Sequence, residues 1–329
     1  MEPQTAPEPI AIEVHLPDNG SDDLAADARA GLARELKELP PKYFYDERGS
    51  RLFERITELP EYYPTRTERA ILRSQASEIV AAAGDPVSLI ELGSGSAAKT
   101  RVLLDAMREA GCLRTYAPVD ISEEITRATA ERLVSEYPDL LVRGVVCDFE
   151  RHLERVEVEG PRMIAFLGGT IGNFYPGARR SFLGRIADLL GEGDHLLLGT
   201  DLVKDTARLE AAYNDSAGVT AEFNKNVLCV LNRELGADFD LDRFEHRAFY
   251  DPENARVDLR LRSLAEQTVS LPGIGMTIEL GGSEEIRTEI SCKFTRPHLE
   301  KIYAEAGLEM TAWFTDPAGD FALSLARGA

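Results

Sequence analysis

Residues 87–100 read VSLIELGSGSAAKT. An apolar run, VSLIEL, stops at glycines 93 and 95, and small residues then lead into RVLLDAMREA, whose apolar positions recur at helical spacing. A strand that turns through glycine into a helix is predicted. Glycine lets the backbone turn tightly and approach a ligand with no Cβ in the way, and amides at the start of the following helix face a polar group. On its own the G-x-G is weak, because any tight strand-to-helix turn could use it.

The pattern around this stretch makes it part of a series. Helix is predicted over 66–83, 98–110, 122–136 and 177–190, and strand over 87–92, 115–121, 141–147, 162–168 and 195–201. Apolar strands alternating with amphipathic helices mean parallel β-α-β units covered on both faces, a doubly wound α/β sheet. The alternation then stops. Residues 204–236 read as helical, 243–293 alternate with the period of strands, and a helix over 295–306 precedes strands near 308–314 and 320–326, read as a hairpin that rejoins the first sheet. The expected division is an N-terminal segment 1–20 without order, 21–62 as the first part of a substrate-binding domain, 63–203 as the Rossmann-like core, 204–293 as an inserted α+β substrate-binding domain, and 294–329 as the end of the core. A helix is also expected over 22–38, stopped by Pro40 and Pro41.

Two carboxylates sharpen the glycine turn. The strand over 115–121 ends at Asp120, where a carboxylate can accept from both hydroxyls of a ribose, and the strand over 141–147 ends at Asp148-Phe149, an acid and a ring suited to an adenine. Taken singly, each acid is equally a helix cap and Phe149 equally a core residue. Together they fall at the carboxyl ends of successive parallel strands, where open α/β sheets bind ligands. An adenosine-containing ligand is expected. The turn, the acids and the C-terminal hairpin resemble class I S-adenosylmethionine-dependent methyltransferases; the runner-up among enzymes is a nicotinamide oxidoreductase, whose dinucleotide fingerprint would want a third glycine where Ala98 stands.

Composition narrows the partners. Lysine and arginine total 37 against 57 aspartates and glutamates, a net charge of −20, which repels phosphate backbones and anionic membranes but not a zwitterion or a sulfonium. The cysteines, 112, 147, 229 and 292, form no C-x-x-C pair, so neither a metal site nor a disulfide framework is expected. The N-terminus has no signal-peptide order and no apolar run reaches membrane-spanning length. A cytoplasmic monomer is expected.

For the acceptor, the strand over 162–168 runs into GGTIGNF, where Asn173 could hold an amine or simply make a turn, and Tyr63 offers a hydroxyl beside Pro64. Glu289 and Ser291 share one face of their strand by the two-residue period. Beyond residue 35 nearly the whole chain is similar to the histidine-specific Nα-methyltransferases of ergothioneine biosynthesis. The resemblance rests on YDERGSRLFERITELPEYYPTRTE, ELGSGSAAKTR, APVDIS, FLGGTIGNF and EEIRTEISCKF, in that order.

That resemblance implies trimethylation of the α-amine of L-histidine to hercynine, with S-adenosylmethionine as donor, S-adenosylhomocysteine as by-product and no metal. It implies that Gly93, Lys99, Asp120, Asp148 and Phe149 bind the donor, with Tyr45 and Phe53 closing over it. Tyr63 and Asn173 would hold the amine and serve as the catalytic pair, with Gly168 and Thr170 nearby. Tyr213 would bind the carboxylate, and Glu289 and Ser291 the imidazole. Leu259 stands where the family's imidazole pocket has a methionine, a residue of similar volume. The transfer needs a neutral amine aligned with the methyl group, and the amine's proton could leave through Tyr63, a carboxylate or water. A methyltransferase acting on another amino acid such as tryptophan, and a silent adenosine-binding module, are the competing readings.

Overall fold

The computed structural model describes residues 8–15, 20–156 and 158–329. In chain order it begins with β1 (Ile10–Val14), α1 (Gly20–Leu32), β2 (Lys37–Glu38), α2 (Glu47–Glu58) and α3 (Tyr63–Ala82). The alternating region follows as β3 (Ser88–Leu92), α4 (Arg101–Glu109), β4 (Thr115–Asp120), α5 (Glu123–Glu136), β5 (Leu141–Val146), α6 (Phe149–His152), β6 (Arg162–Phe166), α7 (Pro176–Leu189) and β7 (His195–Asp201). Then come α8 (Thr206–Tyr213), α9 (Val219–Leu235), β8 (Phe244–Asp251), β9 (Arg256–Ser263), β10 (Gln267–Leu271), β11 (Met276–Leu280), β12 (Glu285–Cys292), α10 (Arg296–Glu305), β13 (Leu308–Thr315) and β14 (Phe321–Gly328).

The larger sheet has the order β1-β5-β4-β3-β6-β7-β14-β13. Its first six strands run parallel, and β14 and β13 pair antiparallel at the far edge. Successive residues serve opposite faces: Leu89 and Leu197 join the cluster under α3 and α4, whereas Ile90, Leu196 and Leu198 join the one under α7 and α10. Burial on both faces is why these strands are continuous apolar runs. The strand order reverses between β3 and β6, so a crevice opens at their carboxyl ends.

A second sheet, β2-β12-β9-β8, and the hairpin β10-β11 carry the strand-like region. One apolar cluster joins Leu24, Phe44 and Leu52 from the start of the chain to Phe223, Leu259 and Ile278. The sheets meet at the end of β12. There Gly172, in the 3-10 turn Thr170–Asn173 after β6, lies so close that a Cβ would stand 2.9 Å from the Cys292 carbonyl oxygen. Among the described residues no helix is long and apolar enough to cross a membrane.

Two expectations are corrected. Ile10–Val14, expected to lack order, forms an edge strand parallel to β5, with Ile10 and Ile12 packed on the core; residues 1–7 and 16–19 of that segment lie outside the described residues. The helix expected over 22–38 stops at Leu32, and Lys37–Glu38 pairs with Ile286–Arg287 of β12. The close approach of Gly31 to the Glu38 backbone leaves no space there for a side chain.

Asp46 caps α2, accepting from the Gly49 amide at 2.8 Å, and also takes Asn226 and Arg233, each at 2.8 Å. Burial pushes its carboxyl up, but these donors outweigh that and hold it below the usual aspartate range. Asp46→Ala is expected to cost about 1–2 kcal/mol at neutral pH. Because the folded value is depressed, the deficit in urea titrations should be full above pH of about 4 and vanish as the pH falls through the folded value. Gly172→Ala forces a backbone shift at the junction of the sheets and should lower stability by about 1–3 kcal/mol in the same assay.

Candidate active site

The carboxyl ends of β3 to β7 form one rim. Gly93 and Gly95 turn there with φ of 69° and 50°, in the left-handed region. The space a Cβ would take is open at Gly95, and at Gly93 it meets only the edge of the Phe149 ring at 3.9 Å. Asp120 braces the turn, its Oδ2 accepting from the Gly95 amide at 2.8 Å and its Oδ1 from the Ser122 amide at 3.0 Å. Behind it, Glu91 accepts from Thr100 and Tyr116, both at 2.5 Å, and burial pushes its carboxyl up to about 7. Phe149 rests edge-on against Phe166 with centroids 5.5 Å apart, and Asp148 precedes it, half-buried. A glycine cradle flanked by carboxylates and a ring fits an adenosine that carries a sulfonium: the acids suit hydroxyls, an exocyclic amine and positive charge, and the glycines leave the backbone open to close approach.

Lys99 ties this rim to the next loop. Its Nζ donates to Glu68 at 2.5 Å, and the other oxygen of Glu68 accepts from the Gly168 amide at 2.7 Å. Thr170 closes the same loop through a 3.2 Å bond to the Leu167 carbonyl. Gly93, Lys99, Asp120, Asp148, Phe149, Gly168 and Thr170 therefore all sit on the rim.

Beside it lies a small pocket of about 30 Å³ walled by Tyr45, Phe53, Tyr62, Tyr213, Leu259 and Glu289. Its rings meet edge-on, Tyr45 with Phe53 at 5.6 Å, Phe53 with Tyr62 at 6.2 Å and Tyr62 with Tyr213 at 6.2 Å. Leu259 and Glu289 are cross-strand partners on β9 and β12. Burial drives the Glu289 carboxyl up to about 7, partly offset by Lys293 and by the polar side chain of Asn173. Asn173, distant in the chain, thus acts on the carboxyl of Glu289, a wall of this pocket. Tyr45 and Phe53, expected to close over the donor, are walls of this pocket, because α2 packs on α9 and sets both rings against Phe223.

Tyr63 is not a wall of this pocket, whereas its neighbour Tyr62 is. The Tyr63 ring is buried, and its hydroxyl donates to the Asp201 carboxylate at 2.8 Å and accepts from Lys204 at 2.7 Å. Lys204 and Lys293 both pair with Asp201, at 2.5 and 2.9 Å. Burial works against the Asp201 carboxylate, but the two ammonium groups outweigh it and keep it ionised. Burial and Asp201 together push the Tyr63 phenol far above its ordinary value. Lys293 also donates to Tyr213 and Ser291, each at 2.8 Å, and those two hydroxyls are 2.8 Å apart.

Asp201, Lys204, Lys293 and Glu68 were not singled out in the sequence. A signal existed for two of them. Lys293 continues the two-residue step of Glu289 and Ser291, and Asp201 ends a parallel strand as Asp120 does. Nothing local marks Glu68, whose partners Lys99 and Gly168 are distant in the chain, and the role of Lys204 depends on Tyr63, 141 residues away.

Residues 24–328 match the family model described as histidine-specific methyltransferase, SAM-dependent. The chain is 52% identical over 309 residues to a histidine N-alpha-methyltransferase of Mycolicibacterium smegmatis, covering 94% of this chain and 96% of that one. It is 48% identical to a histidine N-alpha-methyltransferase of Mycobacterium tuberculosis, covering 96% of this chain and 99% of that one. It is 32% identical to ergothioneine biosynthesis protein 1 of Neurospora crassa, covering 85% of this chain and 32% of that longer one. With the parallel sheet, the open glycine cradle and these matches in hand, the chain belongs to the histidine-specific, S-adenosylmethionine-dependent methyltransferases.

Proposed function

We infer that this enzyme transfers methyl groups from S-adenosylmethionine to the α-amine of L-histidine, three in succession, giving hercynine for ergothioneine synthesis and releasing S-adenosylhomocysteine. The observation that supports the assignment is that Asn173 acts on Glu289, a wall of the pocket, since a single histidine would present its amine to one and its imidazole to the other. In this reading Gly93, Lys99, Asp120, Asp148 and Phe149 hold the donor. Tyr63 and Asn173, with Gly168 and Thr170 beside them, hold the amine. Tyr213 takes the carboxylate, Glu289 and Ser291 take the imidazole, and Leu259, Tyr45 and Phe53 pack the ring. The acidic surface and four free cysteines suit a cytoplasmic monomer that meets neither nucleic acid nor membrane.

The donor brings a methyl group on a positively charged sulfur, and the enzyme must present a neutral nitrogen in line with it. Tyr63 gives its own proton to Asp201 and takes one from Lys204, which leaves a lone pair for an amine N–H. With its acidity so suppressed, it stays a neutral phenol and orients the amine without taking its proton. That leaves a carboxylate or water as the acceptor. Asn173, whose side chain acts on Glu289, would turn its amide N–H toward that carboxylate and offer its carbonyl oxygen to the amine. Between these two acceptors each partly methylated amine can rotate to aim its next lone pair.

The direct test is incubation with S-adenosylmethionine and the twenty common amino acids, read by mass spectrometry. Histidine should gain up to three methyl groups, with the trimethyl product dominating at long times; monomethylhistidine alone, or methylation of a different amino acid only, would sink the assignment. Glu289→Ala should raise KM for histidine about tenfold or more, the consequence of an unpaired buried N–H. Glu289 accepts the imidazole N–H when ionised, so wild-type affinity should fall as the pH drops through about 7. The Glu289→Gln enzyme should retain only the dependence due to the substrate's own imidazole, which titrates near ~6.5.

A further inference from the structure

Lys293 follows Glu289 and Ser291 on the same face, just past the end of β12, and its side chain is fully buried. An ammonium there persists only with its hydrogens satisfied, and all three N–H groups are: one goes to Asp201, one to Tyr213 and one to Ser291. Asp201 is shared with Lys204, so two buried cations divide one carboxylate. The nearest further cation, Arg208, lies over the Tyr63 ring and is already paired with Asp320 at 2.5 Å. Asp320 also acts on Lys204 and on the Tyr63 phenol, and Glu289, which feels Lys293, is only partly ionised near neutral pH, so Lys204, Lys293 and Arg208 stand against two full carboxylates and a partial one. The cluster therefore carries surplus positive charge. The hydroxyls set the direction. Lys293 donates into both the Tyr213 and Ser291 oxygens, and their mutual bond uses one of their two protons, leaving the other to donate to an anion in the pocket.

We propose that Lys293 is the charge-selecting residue of the acceptor site: acting through Tyr213, it supplies the positive field that requires a carboxylate on the α-carbon of the substrate. Free amino acids are then accepted, and the same imidazole amine without a carboxylate is refused. Lys293 acts through other side chains and is a specificity and positioning residue, and its role rests on the reading of histidine as substrate.

The experiment is calorimetry in the presence of S-adenosylhomocysteine, with L-histidine, histamine and L-histidine methyl ester as ligands. The wild-type enzyme should prefer histidine over both analogues by about tenfold or more. In Lys293→Met, which keeps the chain length without the charge, that preference should collapse mainly through loss of histidine affinity, and Lys293→Arg should restore part of it. Equal affinity of wild type for histidine and histamine overturns the proposal, and that measurement needs no variant. Equal weakening of all three ligands in a folded Lys293→Met enzyme also overturns it, since a purely structural lysine would act so. Failure of the wild type to bind histidine at all, while still binding S-adenosylhomocysteine, strikes the substrate reading itself and is told apart by that retained donor-site binding.

Discussion

A single buried carboxylate, Asp201, holds the two halves of the site in register. It ends β7 of the parallel sheet, takes Lys293 from the second sheet and Lys204 from the following loop, and receives the hydroxyl of Tyr63 from α3. Backbone pairing reinforces the joint, with the Phe294 amide donating to the Asp201 carbonyl and the Val203 amide to the Phe294 carbonyl, both at 2.9 Å. Buried ion clusters contribute little net stability compared with apolar packing, but losing one member leaves a stranded charge. Their value here is positional: departures from this arrangement strand either a carboxylate or an ammonium in the interior.

The chemistry inherits that geometry. Gly172 allows the turn bearing Asn173 to press against β12, so the amide reaches Glu289 across the junction between sheets. Glu68 performs the parallel task on the rim, linking Lys99 to the Gly168 amide at the root of the same turn. Donor-side and acceptor-side residues are thus connected through one short loop, which suits a reaction whose rate depends on aligning two reactants.

The parallel sheet was legible because its signals are local. Strands buried on both faces are apolar throughout, and the residues on the rim follow directly from where each strand stops, so Gly93, Asp120, Asp148 and Phe149 could be found from position alone. The acceptor pocket was less legible. Glu289 and Ser291 could be paired by strand period, but the walls depend on how α2 packs against α9, and no local signal in the sequence shows that this packing sets Tyr45, Phe53 and Tyr62 around one pocket. Lys293 and Asp201 lie far apart in sequence, and their pairing is a product of the fold. The strand Ile10–Val14 escaped for the same reason: an acidic, proline-rich context hides a segment whose partner, β5, begins at Leu141.

That strand has a consequence unrelated to chemistry. β5 has a pairing edge of open amides and carbonyls along a valine-rich run, the kind of border that recruits strands from other molecules. β1 occupies it along five paired positions, with Ile12 fitted into the space left by Gly144 and Glu13 on the opposite side. The border of the sheet is thereby moved from that run to a five-residue strand carrying the charged Glu13, a shorter and more polar edge than the one it covers.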